Sequence, residues 1–173
     1  MTMKTESLKL RTRVKFLICL FIAGLVLSGL TAFPLETELF FLRNTAQQVL
    51  EADNPLSIWV VKVYTGLYDM NIHYPFLAYG TDWLAFAHIV IAIVFIGPLK
   101  DPIRNIWVIH FGMIACIAVF PLAFIAGEIR GIPFYWRVID CMFGAIGIIP
   151  LLYCDKYIRR IIKIENLQTY QTS

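Results

Sequence analysis

The stretch "IWVIHFGMIACIAVFPLAFIAG", residues 106–127, decides the fold. It contains no Asp, Glu, Lys or Arg, and a helix needs about 20 consecutive apolar residues to cross the hydrocarbon of a bilayer. Across the short basic turn "PLKDPIRN" on its N-terminal side lies a second such run, "WLAFAHIVIAIVFIGPL", residues 83–99. On its C-terminal side another begins near Pro133 and ends near Cys154, with Arg137 and Asp140 close to its start. At the beginning of the chain stands "FLICLFIAGLVLSGLTAF", residues 16–33, again without a charge. The expected fold class is therefore all-α: a single polytopic membrane domain over residues 1–173, with four transmembrane helices and an outer amphipathic helical insert at 34–80.

Composition agrees. Hydrophobic residues make up 59% and charged residues 16% of the chain, whereas a soluble domain is nearer half apolar and a quarter charged. The net charge of +3 is small, and no long basic run with interleaved aromatics suggests nucleic acid. Cys19, Cys116, Cys141 and Cys154 all fall inside apolar segments and form no C-x-x-C pair, so they read as small buried hydrophobes, with no metal site expected.

Lys and Arg concentrate in cytoplasmic loops of membrane proteins. Lys4, Lys9, Arg11, Arg13, Lys15, Lys100, Arg104, Lys156, Arg159, Arg160 and Lys163 fall on one side of the four runs, and only Arg43, Lys62, Arg130 and Arg137 on the other. Both termini are expected in the cytoplasm. The first run is longer than the apolar core of a signal peptide and poorly shaped for cleavage, so it reads as a retained anchor. Gly24, Ser28 and Ala32 recur along it at every fourth position, the pattern of a close-packing seam.

In the outer insert, "PLETELFFLRNTAQQVL" puts Leu35, Leu39, Leu42, Ala46 and Val49 on one helical stripe. Pro34, Glu36 and Glu38 suit the start of a helix. Asn54-Pro55 opens a second segment with Leu56, Trp59, Val63 and Leu67 on one face, although the β-branched and aromatic "IWVVKVY" makes a strand the alternative. Both are read as amphipathic helices at the outer surface. Tyr74, Phe76, Tyr79 and Trp83, with Phe134, Tyr135 and Trp136, form the aromatic belts usual at a lipid–water boundary.

An ionisable residue inside a span is costly and so marks a candidate site. His88 and Asp140 each lie about 10 Å below the outer boundary at 1.5 Å per residue, and are expected to meet across the bundle. Arg137, one turn from Asp140, is its expected ion-pair partner, with Glu128–Arg130 as a second pair. Gly144 and Gly147 continue the Asp140 face, placing it where another helix packs closely. Asp82, Glu128, Arg130 and Trp136 complete an expected outer ligand-binding cluster with His88, Asp140 and Arg137. His110 lies about 9 Å from the cytoplasmic boundary by the same rise. His88 and His110 as axial haem ligands are the one cofactor alternative, but they differ in depth by roughly 6 Å on consecutive helices, and no cofactor is expected. His73 is placed at the surface.

No H-E-x-x-H, P-loop, G-x-S-x-G or dinucleotide fingerprint is present. The stretches "YPFLAYGTDWLAFAH", "GPLKDPIRN" and "PLAFIAGEIRGIPFYWRVIDC" together resemble a group of small bacterial four-helix integral membrane proteins. The resemblance covers residues 70–155; it implies a bacterial plasma-membrane setting and brings no activity or functional residue with it. The leading expectation is non-catalytic binding of an amphiphile, a lipid or quinone-like molecule, or of a partner's helix, at the outer cluster. The alternatives are a membrane-embedded enzyme acting on a lipid head group, with Asp140 or Asp82 and His88 as acid and base, and a haem protein.

Overall fold

The computed structural model describes residues 3–51 and 53–172, with side chains described over 5–51 and 53–167. The Lys4 side chain, counted in the charge asymmetry, lies outside these. The elements are α1 (Met3–Ala32), α2 (Leu35–Val49), α3 (Pro55–His73), a 3-10 turn at Pro75–Leu77, α4 (Tyr79–Val94), α5 (Ile96–Lys100), α6 (Ile106–Ile129) and α7 (Phe134–Thr172). No strand occurs among the described residues. Four helical stretches are long and apolar enough to cross a membrane: Thr5–Ala32, Pro75–Lys100, Ile106–Ile129 and Phe134–Leu167. Only 17–22% of their apolar windows is buried within the chain. Large side chains such as Phe16, Leu27, Ile114, Leu122 and Phe143 point outward.

Several helix boundaries follow from local chemistry. The second run breaks at Phe95, because Pro98 has no N–H to give to the carbonyl of Val94 and its ring clashes there. The turn that follows is held by Asp101, whose Oδ1 accepts from the backbone N–H groups of Ile103 and Arg104 at 3.1 Å. Asn105 Nδ2 donates to the carbonyls of Gly97 and Asp101 at 3.2 and 2.9 Å.

The chain divides into two compact units. The terminal unit holds residues 1–24 and 92–173. Here α6 and α7 pack closely: a Cβ on Gly144 would overlap the carbonyl oxygen of Cys116. The Gly144–Gly147 face of α7 is thus a close-packing face, as the sequence indicates. Phe95 is fully buried, with its ring 4.7 Å from that of Phe21.

Both ends of the chain depart from the expected tails. Residues 3–15 continue α1, and residues 155–172 continue α7. Ser7, Leu10, Val14 and Ile18 are buried on α1, and Leu151, Cys154, Ile158, Ile161 and Ile164 on α7. The three- and four-residue spacing is that of paired helices. Arg11 pairs with Glu165 at 2.7 Å, Arg160 pairs with Glu6, and the Cys154 thiol lies 3.8 Å from the Val14 carbonyl. Cys116, Cys141 and Cys154 are buried as expected, but Cys19 is exposed.

The central unit is Leu25–Ile91. Its α2 and α3 form an antiparallel pair. Asn71 Nδ2 donates to Glu36 Oε2 at 2.5 Å at one end, and the Arg43 guanidinium lies 5.0 Å from the centre of the Tyr64 ring midway. The second insert segment is a helix rather than the alternative strand. Asn54 Oδ1 accepts from Leu56 N–H at 2.9 Å, and Pro55 occupies the first turn, where its missing N–H costs no hydrogen bond.

Only part of each expected stripe is buried within this pair. On α2, Leu39 and Ala46 are buried, whereas Leu42 and Val49 are 45% and 75% exposed. On α3, Ser57 and Val60 are buried, while Leu56, Trp59, Val63 and Leu67 are half-buried. Arg43 and Tyr64 belong to the contact, and a stripe drawn from aliphatic residues alone passes over them. The small-residue seam also shifts. Gly24 has open space around it, while a Cβ on Gly29 would lie 2.9 Å from the Ala85 carbonyl oxygen and 3.2 Å from His88 Cβ.

Candidate functional site

The turn from α6 into α7 builds the most structured polar group of the terminal unit. Gly131, with φ of 67°, is the one described residue with positive φ. Ile132 N–H donates to the Gly127 carbonyl at 2.9 Å, and Gly131 N–H to that of Glu128 at 3.0 Å. These two bonds are the Schellman closure that ends a helix on a left-handed glycine. Pro133 follows, and its carbonyl accepts from Trp136 and Arg137 N–H at 3.0 and 3.1 Å.

This turn brings Arg137 back over the end of α6. A Cβ on Gly127 would lie 2.6 Å from Arg137 Cδ and 2.9 Å from Cγ, so the missing side chain makes the channel in which the arginine stem lies. The guanidinium sits 5.8 Å from the centre of the Phe134 ring. Nη1 pairs with Glu128 Oε2 at 2.5 Å and makes a long contact of 3.5 Å with the Phe124 carbonyl. Nε is buried without a hydrogen-bond partner among the described residues. The Arg137 side chain is 12% exposed and that of Glu128 is 72% exposed.

Two expected pairings are therefore corrected. Arg137 pairs with Glu128 across the turn, not with Asp140 along its own helix, because Gly127 opens the path to α6. Glu128 does not pair with Arg130, which caps α6 and is exposed. Asp140 is half-buried without an ion-pair or hydrogen-bond partner among the described residues, and Trp136 is half-buried. His88 and Asp82 belong to the central unit. His88 Nδ1 is 2.8 Å from the Leu84 carbonyl. That oxygen can only accept, so Nδ1 carries the hydrogen, and in the neutral ring Nε2 is left as an acceptor. His73, exposed as expected, pairs with Asp69 at 2.9 Å.

A second polar group in the terminal unit was not foreseen. His110 Nε2 lies 2.8 Å from Asp155 Oδ1, and Arg159 Nε lies 2.7 Å from Asp155 Oδ2. One carboxylate thus ties α6 to α7 while holding the next turn of α7. Asp155 follows directly on Cys154, where the apolar run was taken to end, and so reads as part of a charged tail. The available signal was its i,i+4 spacing to Arg159. Nε2 of His110, the nitrogen an axial ligand would offer to iron, is engaged in this bond.

The central unit contains an open groove of about 640 Å³ lined by Gln47, Ser57, Ile58, Val61 and Lys62. Lys62, lying 5.7 Å from the centre of the Trp59 ring, is the charged residue among the described ones that line it. No family model, curated protein or solved structure matches this chain.

Proposed function

We propose that this chain is a multi-pass protein of a bacterial plasma membrane that binds an amphiphile, a lipid or a quinone-like molecule, without chemical turnover. In this reading it crosses the membrane four times, with both termini in the cytoplasm and residues 34–80 outside. The ligand's polar end sits where α6 turns into α7, among Arg137, Glu128, Arg130, Trp136 and Asp140.

The observation that carries the reading is Arg137. A guanidinium 12% exposed at the mouth of a highly apolar helix pair is expensive to keep unless it serves packing or a ligand. Here its stem is fixed by Gly127, and its carboxylate partner among the described residues is largely in solvent. A packing role would call for a buried partner, so the arrangement favours a ligand. Phe124, Phe134 and Tyr135 around it are exposed aromatic surface, suited to the boundary between acyl chain and head group. The Lys/Arg asymmetry supports the orientation, and the outward-facing apolar side chains of the four long helices support insertion.

Two measurements test the reading. In a background without native cysteines, Glu51→Cys and Asn166→Cys should label from opposite sides of the membrane; labelling from one side refutes the topology. Mass spectrometry of protein purified in mild detergent should find an amphiphile retained in stoichiometric amount. Its loss in Arg137→Gln, with the helical content kept, places it at this turn. Retention of a second protein instead of an amphiphile would replace the ligand with a partner helix.

A further inference from the structure

We infer that the polar end of the ligand is an anionic phosphate or carboxylate group, carried by a lipid, and that Glu128 occupies its place on Arg137 until it arrives. This deepens the amphiphile reading and rests on it. Arg137 uses its donors sparingly. Nη1 holds one oxygen of Glu128, Nε has no partner, and Nη2 has none among the described residues. Guanidinium recognises a planar anion best through two parallel N–H···O bonds, and Glu128 makes only one.

The two partners also differ in freedom. The Arg137 stem lies in the Gly127 channel with its head near Phe134, so the cation is preorganised. Glu128 is 72% exposed on the last turn of α6, where an ion pair holds weakly and water readily replaces it. A fixed, desolvated cation covered by a loosely held carboxylate is the arrangement an incoming anion displaces. Arg130, exposed in the same turn, adds positive charge at the entrance.

The test uses the full-length protein in a neutral maltoside detergent. Dioctanoyl phosphatidylglycerol is titrated by native mass spectrometry, with uncharged dioctanoylglycerol and inorganic phosphate as the other probes. Removing the competing carboxylate in Glu128→Gln should tighten phosphatidylglycerol binding by about two- to fivefold, the range set by a weak exposed ion pair. Replacing the fork by a point charge in Arg137→Lys should weaken it about tenfold or more. Dioctanoylglycerol should respond to neither change. If inorganic phosphate displaces the lipid at equal concentration, the anion site stands and its occupant is the free ion.

Unchanged or weaker phosphatidylglycerol binding in Glu128→Gln overturns the inference. That residue is largely in solvent, so loss of the fold would not account for such a result. Dioctanoylglycerol binding as tightly as phosphatidylglycerol in every variant overturns the anionic assignment while leaving the amphiphile site intact. Failure of the wild-type protein to bind phosphatidylglycerol overturns the inference, while an amphiphile that still co-purifies and is lost in Arg137→Gln keeps the reading on which it rests.

Discussion

Gly144→Ala adds one methyl group at the closest approach of α6 and α7. The new Cβ would overlap the Cys116 carbonyl oxygen and lie 3.4 Å from both the Cys116 carbonyl carbon and Phe120 Cε2. The first obstacle is main chain inside a helix and cannot rotate aside, so the two helices must separate by something on the order of 0.5–1 Å. A gap of that size forfeits a quarter to a half of the dispersion energy between facing atoms. Overpacking of this kind costs about 1–3 kcal/mol, and replacing a mid-helix glycine returns about 0.5–1 kcal/mol. The net expectation is a loss of about 1–2 kcal/mol, or roughly 2–8 °C in Tm for a chain of this size. Gly24→Ala is the matched control: nothing lies within 4 Å of the added atom, so the helix-propensity gain of up to about 1 kcal/mol should stand alone. Thermal unfolding of both variants in the same detergent, followed by circular dichroism, compares them directly. Equal Tm values, or a lower value for Gly24→Ala, would refute the assignment of the close helix contact.

Leu39→Asp should loosen the α2–α3 pair and increase proteolytic cleavage near residue 51, whereas Leu42→Asp should leave that packing intact, because Leu39 is buried and Leu42 is not. Asp155→Asn should lower Tm more than Arg159→Gln, since it disturbs both the His110 bond across α6 and α7 and the exposed Arg159 pair, the latter worth only about 0.3–0.5 kcal/mol. In a double-mutant cycle read by Tm, Arg137→Met should couple to Glu128→Gln and be additive with Asp140→Leu. Coupling to Asp140 instead would restore the pairing expected from helix spacing.

The long apolar runs were legible because four long, predominantly apolar stretches leave few alternatives, and the Asn54-Pro55 start of α3 was legible because its cap chemistry is local. What the sequence hid depends on which neighbour each residue meets. Helical spacing pairs Arg137 with Asp140, but a glycine on another helix sends the arginine to Glu128. Aliphatic periodicity groups Leu42 with Leu39 and Ala46, whereas within the α2–α3 pair Arg43 lies against Tyr64 and Leu42 is left exposed. The tails read as charged because Lys and Arg outnumber the acidic residues in both, although Leu10, Val14, Ile158 and Ile161 already carried a helical period among them. Within the candidate site, residue types were visible and partners were not. The Schellman turn that sets the geometry is announced by Gly131 and Pro133, but only the fold shows which stem it aims at Gly127.

The pairing of α1 with α7 imposes an order on biogenesis. Arg11 and Glu165 are separated by 154 positions in the chain, and Ser7 and Glu165 by 158. The apolar side of α1 at Leu10, Val14 and Ile18 therefore leaves the ribosome long before the helix that covers it. Until α7 is made, that stripe must be shielded by lipid, by an insertion factor or by a chaperone. Its closure is the last long-range step available to the chain, since loop entropy disfavours distant contacts until nearer ones have formed. A ribosome stalled before residue 151 would leave this stripe open however much of the earlier chain had packed, marking the unfinished chain for quality control.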